Sequence, residues 1–205
     1  MPSRPAISRR QILHLAWPVM LTGIGQNLVL LTDTAFLGRV SEVALGAGGL
    51  AGLVYFAYIT LGFGLGSGLQ VVVARRVGEG QPLAAGRAAH GALLISLGVG
   101  LAGVLFFLLL GRPLVAALLR SHAVEDAAWA YLQVRAWEAP LAIGLLTLRG
   151  FYTGVAQNRL IGWSTVALTI VNVVLDYGLV LGKLGLPALG VQGAALASAL
   201  AHVVG

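Results

Sequence analysis

Residues 165–182 read TVALTIVNVVLDYGLVLG, and this stretch decides the fold. Apart from Asn172 and Asp176 it is apolar, small or hydroxyl-bearing, and it approaches the roughly 20 residues that a helix rising 1.5 Å per residue needs to cross a bilayer. One carboxylate inside such a run costs about 2.5–3.5 kcal/mol on insertion scales. A second case stands at residues 26–38, QNLVLLTDTAFLG, where Asp33 interrupts the apolar pattern. Carboxylates kept in hydrocarbon have a use or a partner, and the expectation they raise is ion-coupled transport.

Composition agrees with a membrane setting. The chain has 205 residues, 58% hydrophobic and 10% charged, with a mean hydropathy of +0.91. Soluble domains carry about 25% charged residues, so these few charges cannot clothe a water-facing surface. The apolar residues fall in blocks, which predicts an all-α, polytopic membrane protein. Cysteine is absent, which excludes disulfides and cysteine metal sites. The net charge of +6 is not a nucleic-acid signal, because the arginines sit in short loops between apolar blocks, where they act as topology signals. MPSRPAISRR at the start resembles the basic region of a signal peptide. The block after it runs on through Pro18, Gln26, Asn27 and Asp33 without a small-residue cleavage pattern, so it reads as a retained first helix.

Six blocks stand out within one transmembrane lobe spanning 1–205: 11–37, 44–73, 88–110, 127–152, 161–181 and 191–205. The third is expected to close at Gly111-Arg112-Pro113. Only fifteen residues remain from Val191 onward, so the sixth helix is expected to be truncated and the chain to be part of something longer. Arg4, Arg9, Arg10, Arg75, Arg76, Arg87, Arg149 and Arg159 fall on one side of this topology, and Arg39, Arg112, Arg120 and Lys183 on the other. The positive-inside rule then expects a multi-pass protein of the inner (plasma) membrane with a cytoplasmic N-terminus. Trp17, Trp129 and Trp163 sit near block ends as interfacial anchors or lipid-facing residues. The first and fifth helices both run outward, with Asp33 and Asp176 at matched depth, on the order of 8 Å below their outer ends.

Several residues invite both a functional and a structural reading. Asn172 and Asp176, four apart, stack on one helix face. A carboxyl beside a carboxamide away from water can hold a proton, and protonation turns it from pure acceptor into donor and acceptor, so its hydrogen bonds rearrange. The same pair can serve as interhelical glue. Gln26 and Asp33 are seven apart, again one face, though Asp33 can also reach outward or pair with Arg39. Pro18 removes a backbone donor and crowds the carbonyl of His14, giving a static kink or a bending point. Arg135 and Glu138, three apart and followed by Pro140, can neutralise each other as a structural pair or face a ligand. Tyr131, one turn earlier, offers its hydroxyl to the same space or simply packs. Gly98-Val-Gly-Leu-Ala-Gly103 sits in a span rather than between a strand and a helix, so it is no dinucleotide fingerprint. Gly62, Gly64, Gly66 and Gly68 allow close helix packing. His14, His90 and His202 are scattered and His122 lies in a loop, so neither a metal cluster nor a cofactor site is expected.

Taken in order, these stretches resemble the multidrug and toxic compound extrusion (MATE) family, in particular its DinF-like bacterial branch. The matching segments are LAWPVMLTGIGQNLVLLTDTAFLGRV (15–40), GLGSGLQVVVARRVGEG (64–80), YLQVRAWEAP (131–140), GVAQNRLIGWSTVALTIVNVVLDYGLVLG (154–182) and LGLPALGVQGAALASAL (184–200). The resemblance covers nearly the whole chain. It implies the N-terminal lobe, six of about twelve helices, with a second lobe related by an axis along the membrane normal. It assigns the family's first-helix aspartate to Asp33, its partner glutamine to Gln26 and its bending proline to Pro18. The fifth-helix pair falls on Asn172 and Asp176, the fourth-helix tyrosine on Tyr131, and Ser198 stands where the family often carries threonine. The function implied is cation-coupled (H⁺ or Na⁺) export of organic, often cationic, drugs or toxic metabolites by alternating access. Asp33, Asp176, Asn172 and Gln26 would bind or tune the ion, and Tyr131 and Ser198 would line the cavity. The alternatives are a flippase for a lipid-linked saccharide or peptidoglycan precursor, which would want several basic residues for a pyrophosphate, and an inactive transporter fragment. An intramembrane enzyme would want a nucleophile paired with a base, and the chain offers none.

Overall fold

The computed structural model describes residues 9–204, with backbone alone at 9–16, 18 and 19. Six helices follow one another: α1 (Arg9–Val40), α2 (Glu42–Gly78), α3 (Pro82–Leu118), α4 (His122–Gly154), α5 (Asn158–Leu179) and α6 (Gly190–Val204). No strand occurs among the described residues. Turns of one to three residues join the first five helices, so successive helices run antiparallel. Ser41 alone separates α1 from α2. Its backbone is extended and its hydroxyl oxygen accepts the Ala44 N–H at 3.0 Å, satisfying one of the donors that a helix start leaves free.

Helices outlast the apolar blocks because polar residues continue them beyond the hydrocarbon. α2 runs on through Arg75 and Arg76, and the N–H of Glu79 closes it on the Arg75 carbonyl. The expected stop at Gly111-Arg112-Pro113 does not occur, since α3 continues to Leu118 with Pro113 inside it. Proline forfeits one backbone bond, here to the Leu109 carbonyl. The next turn offsets that loss by burying Val115 against the core. α2, α3 and α5 are each long and apolar enough to cross a membrane. At 37 residues, α2 and α3 reach about 55 Å, well beyond a hydrocarbon core of about 30 Å.

Packing splits the lobe into two halves meeting at α6. α2 and α3 pack on α4, α1 packs on α5, and α6 touches both α4 and α5. Small residues set the closest approaches. A Cβ on Gly66 would stand 2.5 Å from the Leu146 carbonyl oxygen, and Gly150 meets the Gly66 backbone directly. Gly62 faces Ile143 and Leu146, whereas Gly64 and Gly68 face open space, so two of the four glycines make the seam. Tyr55 and Phe107 fill the core beside it with ring centroids 5.6 Å apart. The outer faces of α2 and α3 stay apolar, as with Val71 and Leu109, which suits contact with lipid. Trp17 and Trp163 are exposed, whereas Trp129 turns partly inward against Gly111.

Candidate functional site

The site begins with a polar stripe on α5. Thr165, Thr169, Asn172 and Asp176 recur at helical spacing and so share one face. α1 lies against that face because Gly25 leaves room; a Cβ there would stand 2.6 Å from Thr165 Cγ2 and 3.0 Å from Thr169 Oγ1. Asp33, eight residues after Gly25, falls on the same side of α1. α6 closes the third side with a nearly continuous small surface of Gly193, Ala194, Ala195, Ala197 and Ala201, all buried. Gly193 touches the Leu179 carbonyl. That approach brings Ser198 alongside α5.

Asp33 and Asp176 face each other within hydrogen-bonding reach, with Asn172 between them. In the orientation that satisfies its amide, the nitrogen donates to Asp33 Oδ1 at 3.3 Å and Asp176 Oδ2 at 3.2 Å. The other end of the amide lies 3.4 Å from Ser198 Oγ, so its oxygen can accept the Ser198 hydroxyl. Asn172 and Asp176 have no exposed surface, and Asp176 Oδ1 is buried with no hydrogen-bond partner. Two carboxyl groups, an amide and a hydroxyl form an oxygen-rich set, suited to a shared proton or a hard cation. No cluster of three or more metal-ligating His, Cys, Asp or Glu side chains occurs among the described residues.

The remaining expected residues divide. Tyr131 is buried, with the Arg135 guanidinium 5.7 Å from its ring centroid. Asp33 turns inward, while Arg39 stays exposed. Gln26 is exposed, and the structure does not gather it with the aspartates. The side chain of Pro18, expected to bend α1, lies outside the described residues. Arg135 and Glu138 form the ion pair their spacing allows, Nη1 to Oε2 at 2.6 Å. Two further members of this cluster escape sequence reading. His202 Nδ1 lies 3.0 Å from Glu138 Oε1, and the Arg135 guanidinium stacks 4.4 Å from the Tyr55 centroid. A faint signal existed for His202, which is one turn after Ser198 on α6. Nothing local marks Tyr55.

A family model described as MatE matches residues 18–178, most of the chain and every helix but the last. The chain belongs to the MatE family. Among curated relatives, the probable multidrug resistance protein NorM of Bradyrhizobium diazoefficiens is 36% identical over 193 residues, covering 94% of this chain and 41% of that protein. Among solved structures, an outward-facing multidrug resistance MATE family transporter of the MOP superfamily superposes with a TM-score of 0.87 at 26% identity, over 94% of this chain and 42% of the other. An inward-facing one gives 0.81 at 26% identity, over 87% and 40%. This MatE chain therefore spans about two fifths of the length of the relatives it matches. The narrower DinF-like placement rests on the resemblance alone.

Proposed function

We propose that the full-length protein exports organic, often cationic, compounds by alternating access, driven by H⁺ or Na⁺ binding between Asp33 and Asp176. The observation that carries this reading is Asp176, which has no exposed surface, faces a second carboxyl and keeps one oxygen without a partner. Two carboxyl groups in contact away from water want a positive charge between them, and an exchangeable cation supplies one. Asn172 donates to both carboxyls and so holds them at a fixed separation, ready for the ion. Tyr131 and Ser198 line the same space. The described lobe would be the N-terminal half of a protein with a second six-helix lobe, in the inner (plasma) membrane with its N-terminus in the cytoplasm.

A cation can drive export only through unequal affinity for the two states of the cycle. Relatives described as outward-facing and inward-facing support such a pair of states. Ion uptake would bend α1 at Pro18 and contract the cavity, expelling the drug. A flippase for a pyrophosphate-linked lipid fits less well, because the deep cation Arg135 is already taken by Glu138. The test places Asp33→Asn and Asp176→Asn, singly, in the full-length protein in proteoliposomes. Ethidium export driven by an imposed H⁺ or Na⁺ gradient should vanish in both; near-normal export in both overturns the assignment.

A further inference from the structure

The end of the lobe that carries the α2–α3 and α4–α5 turns gathers Arg75, Arg76, Arg87, Arg149 and Arg159. Several arginines of the lobe meet carboxylates: Arg75 and Arg76 share Glu79, Arg112 reaches Asp126, and Arg135 pairs with Glu138. Arg149 is half-buried on α4 and has no ion-pair partner among the described residues. A cation drawn away from water is costly to keep without a counter-charge. Beside it runs a crevice of about 320 Å³ between α4 and α5. These two helices touch little, because α4 packs on α2 and α3 while α5 packs on α1 and α6. Leu148, Arg149 and Tyr152 line the crevice from α4, and Leu160, Ile161 and Ser164 from α5. Each set repeats one helical spacing and so shares a face. Arg149 stands five residues before the end of α4 and Ser164 six after the start of α5, so both lie on the order of 8 Å from the turn. The opening is lateral: Leu160 is 51% exposed, and Trp163, one turn on along α5, is 72% exposed.

We propose that this crevice binds the phosphate group of an anionic membrane lipid, with Arg149 as its counter-charge. A guanidinium presents paired donors that match phosphate oxygens. Tyr152 adds a hydroxyl to the same space. The Ser164 hydroxyl donates to the Ile161 carbonyl at 3.1 Å, a bond it can exchange for one to phosphate. Leu148, Leu160 and Ile161 leave an apolar wall for the start of an acyl chain. That wall, and a mouth flanked by exposed Leu160 and Trp163, favour a lipid over a free ion, because α5 is apolar enough to cross a membrane. Basic pockets between membrane helices hold such headgroups, and the neighbouring arginines draw anionic lipid toward this end. A lipid seated there bridges the α1–α5 half and the α2–α3–α4 half of the lobe. The inference goes beyond the cation-coupled reading and does not depend on it, since binding is measured without transport.

The test titrates the full-length protein in detergent with dioleoyl phosphatidylglycerol, dioleoyl phosphatidylcholine or inorganic phosphate, and follows bound molecules by native mass spectrometry. Phosphatidylglycerol should fill one saturable site at least about five-fold more tightly than phosphatidylcholine, as one basic residue near an anionic headgroup gives. Arg149→Gln should weaken that binding about ten-fold, the size of one lost charge-assisted contact. Arg87→Gln removes an exposed charge from the same end of the lobe and should leave the site unchanged. Ile161→Trp fills the apolar wall without touching the charge, should weaken phosphatidylglycerol as well, and decides the matter if Arg149→Gln does not fold. Equal binding of the two lipids overturns the inference, as does unchanged phosphatidylglycerol binding in Arg149→Gln or an equal loss in Arg87→Gln. Inorganic phosphate that occupies the site as tightly as phosphatidylglycerol would make it an anion site and sink the lipid.

Discussion

Arg135 and Glu138 show how a charge survives inside an apolar lobe. Glu138 has no exposed side-chain surface, and Arg135 has little. Breaking a buried pair by removing one partner typically costs 3–5 kcal/mol, because the other charge is left uncompensated, while replacing both with apolar side chains is often neutral. Arg135→Met should therefore lower unfolding stability in detergent by about 3–5 kcal/mol. Arg135→Met with Glu138→Leu should recover most of that loss. Asn172→Leu is the matching case at the aspartate site. It keeps the volume but leaves both carboxyls without their shared donor, and should cost about 1–3 kcal/mol. Reading the sequence found Asn172, Asp176, Arg135 and Glu138 because each pair lies within one helical turn. It missed His202 and Tyr55 because their partners lie on other helices, where spacing carries no information.

At the scale of helices, the α2–α4 seam makes a sharper statement than composition does. Gly66 faces α4 and Gly64 does not, although both stand in one glycine-rich run. Gly66→Leu drives a side chain into the Leu146 carbonyl and should cost about 1–3 kcal/mol, the usual penalty of overpacking. Gly64→Leu should be close to neutral, and thermal unfolding of the two variants in detergent checks the contrast. Beyond the seam, α2 ends in an exposed ion pair, Arg75 Nε to Glu79 Oε1 at 2.8 Å. That hydrogen bond holds the Glu79 carboxyl below its usual range. Its contribution is present above the ordinary carboxylate value and lost as pH falls through the lowered one, and exposure and salt keep it small. Six apolar blocks were legible from hydropathy alone, whereas the run of α3 past Pro113 was not. A proline reads locally as a stop, but the burial of Val115 that carries the helix onward depends on the rest of the fold.

For the whole molecule, the expected orientation follows from where the cations collect. Arg75, Arg76 and Arg87 flank the α2–α3 turn, and Arg149 and Arg159 flank the α4–α5 turn, all at one end of the lobe. Arg112, Arg120 and Lys183 mark the other end, where Arg112 is partly offset by Asp126 at 3.5 Å. Cytoplasmic loops carry the excess of Lys and Arg, so in the proposed orientation the α2–α3 turn faces inside and the aspartates lie nearer the outer end. The chain contains no cysteine, so a thiol introduced here meets no background from this lobe. Arg120→Cys and Gln81→Cys occupy exposed positions at opposite ends. In intact cells a membrane-impermeant maleimide should label Arg120→Cys directly, and Gln81→Cys only after permeabilisation. The reverse pattern would turn the lobe over. The aspartates would then lie nearer the cytoplasm, and the coupling cation would reach them from that side.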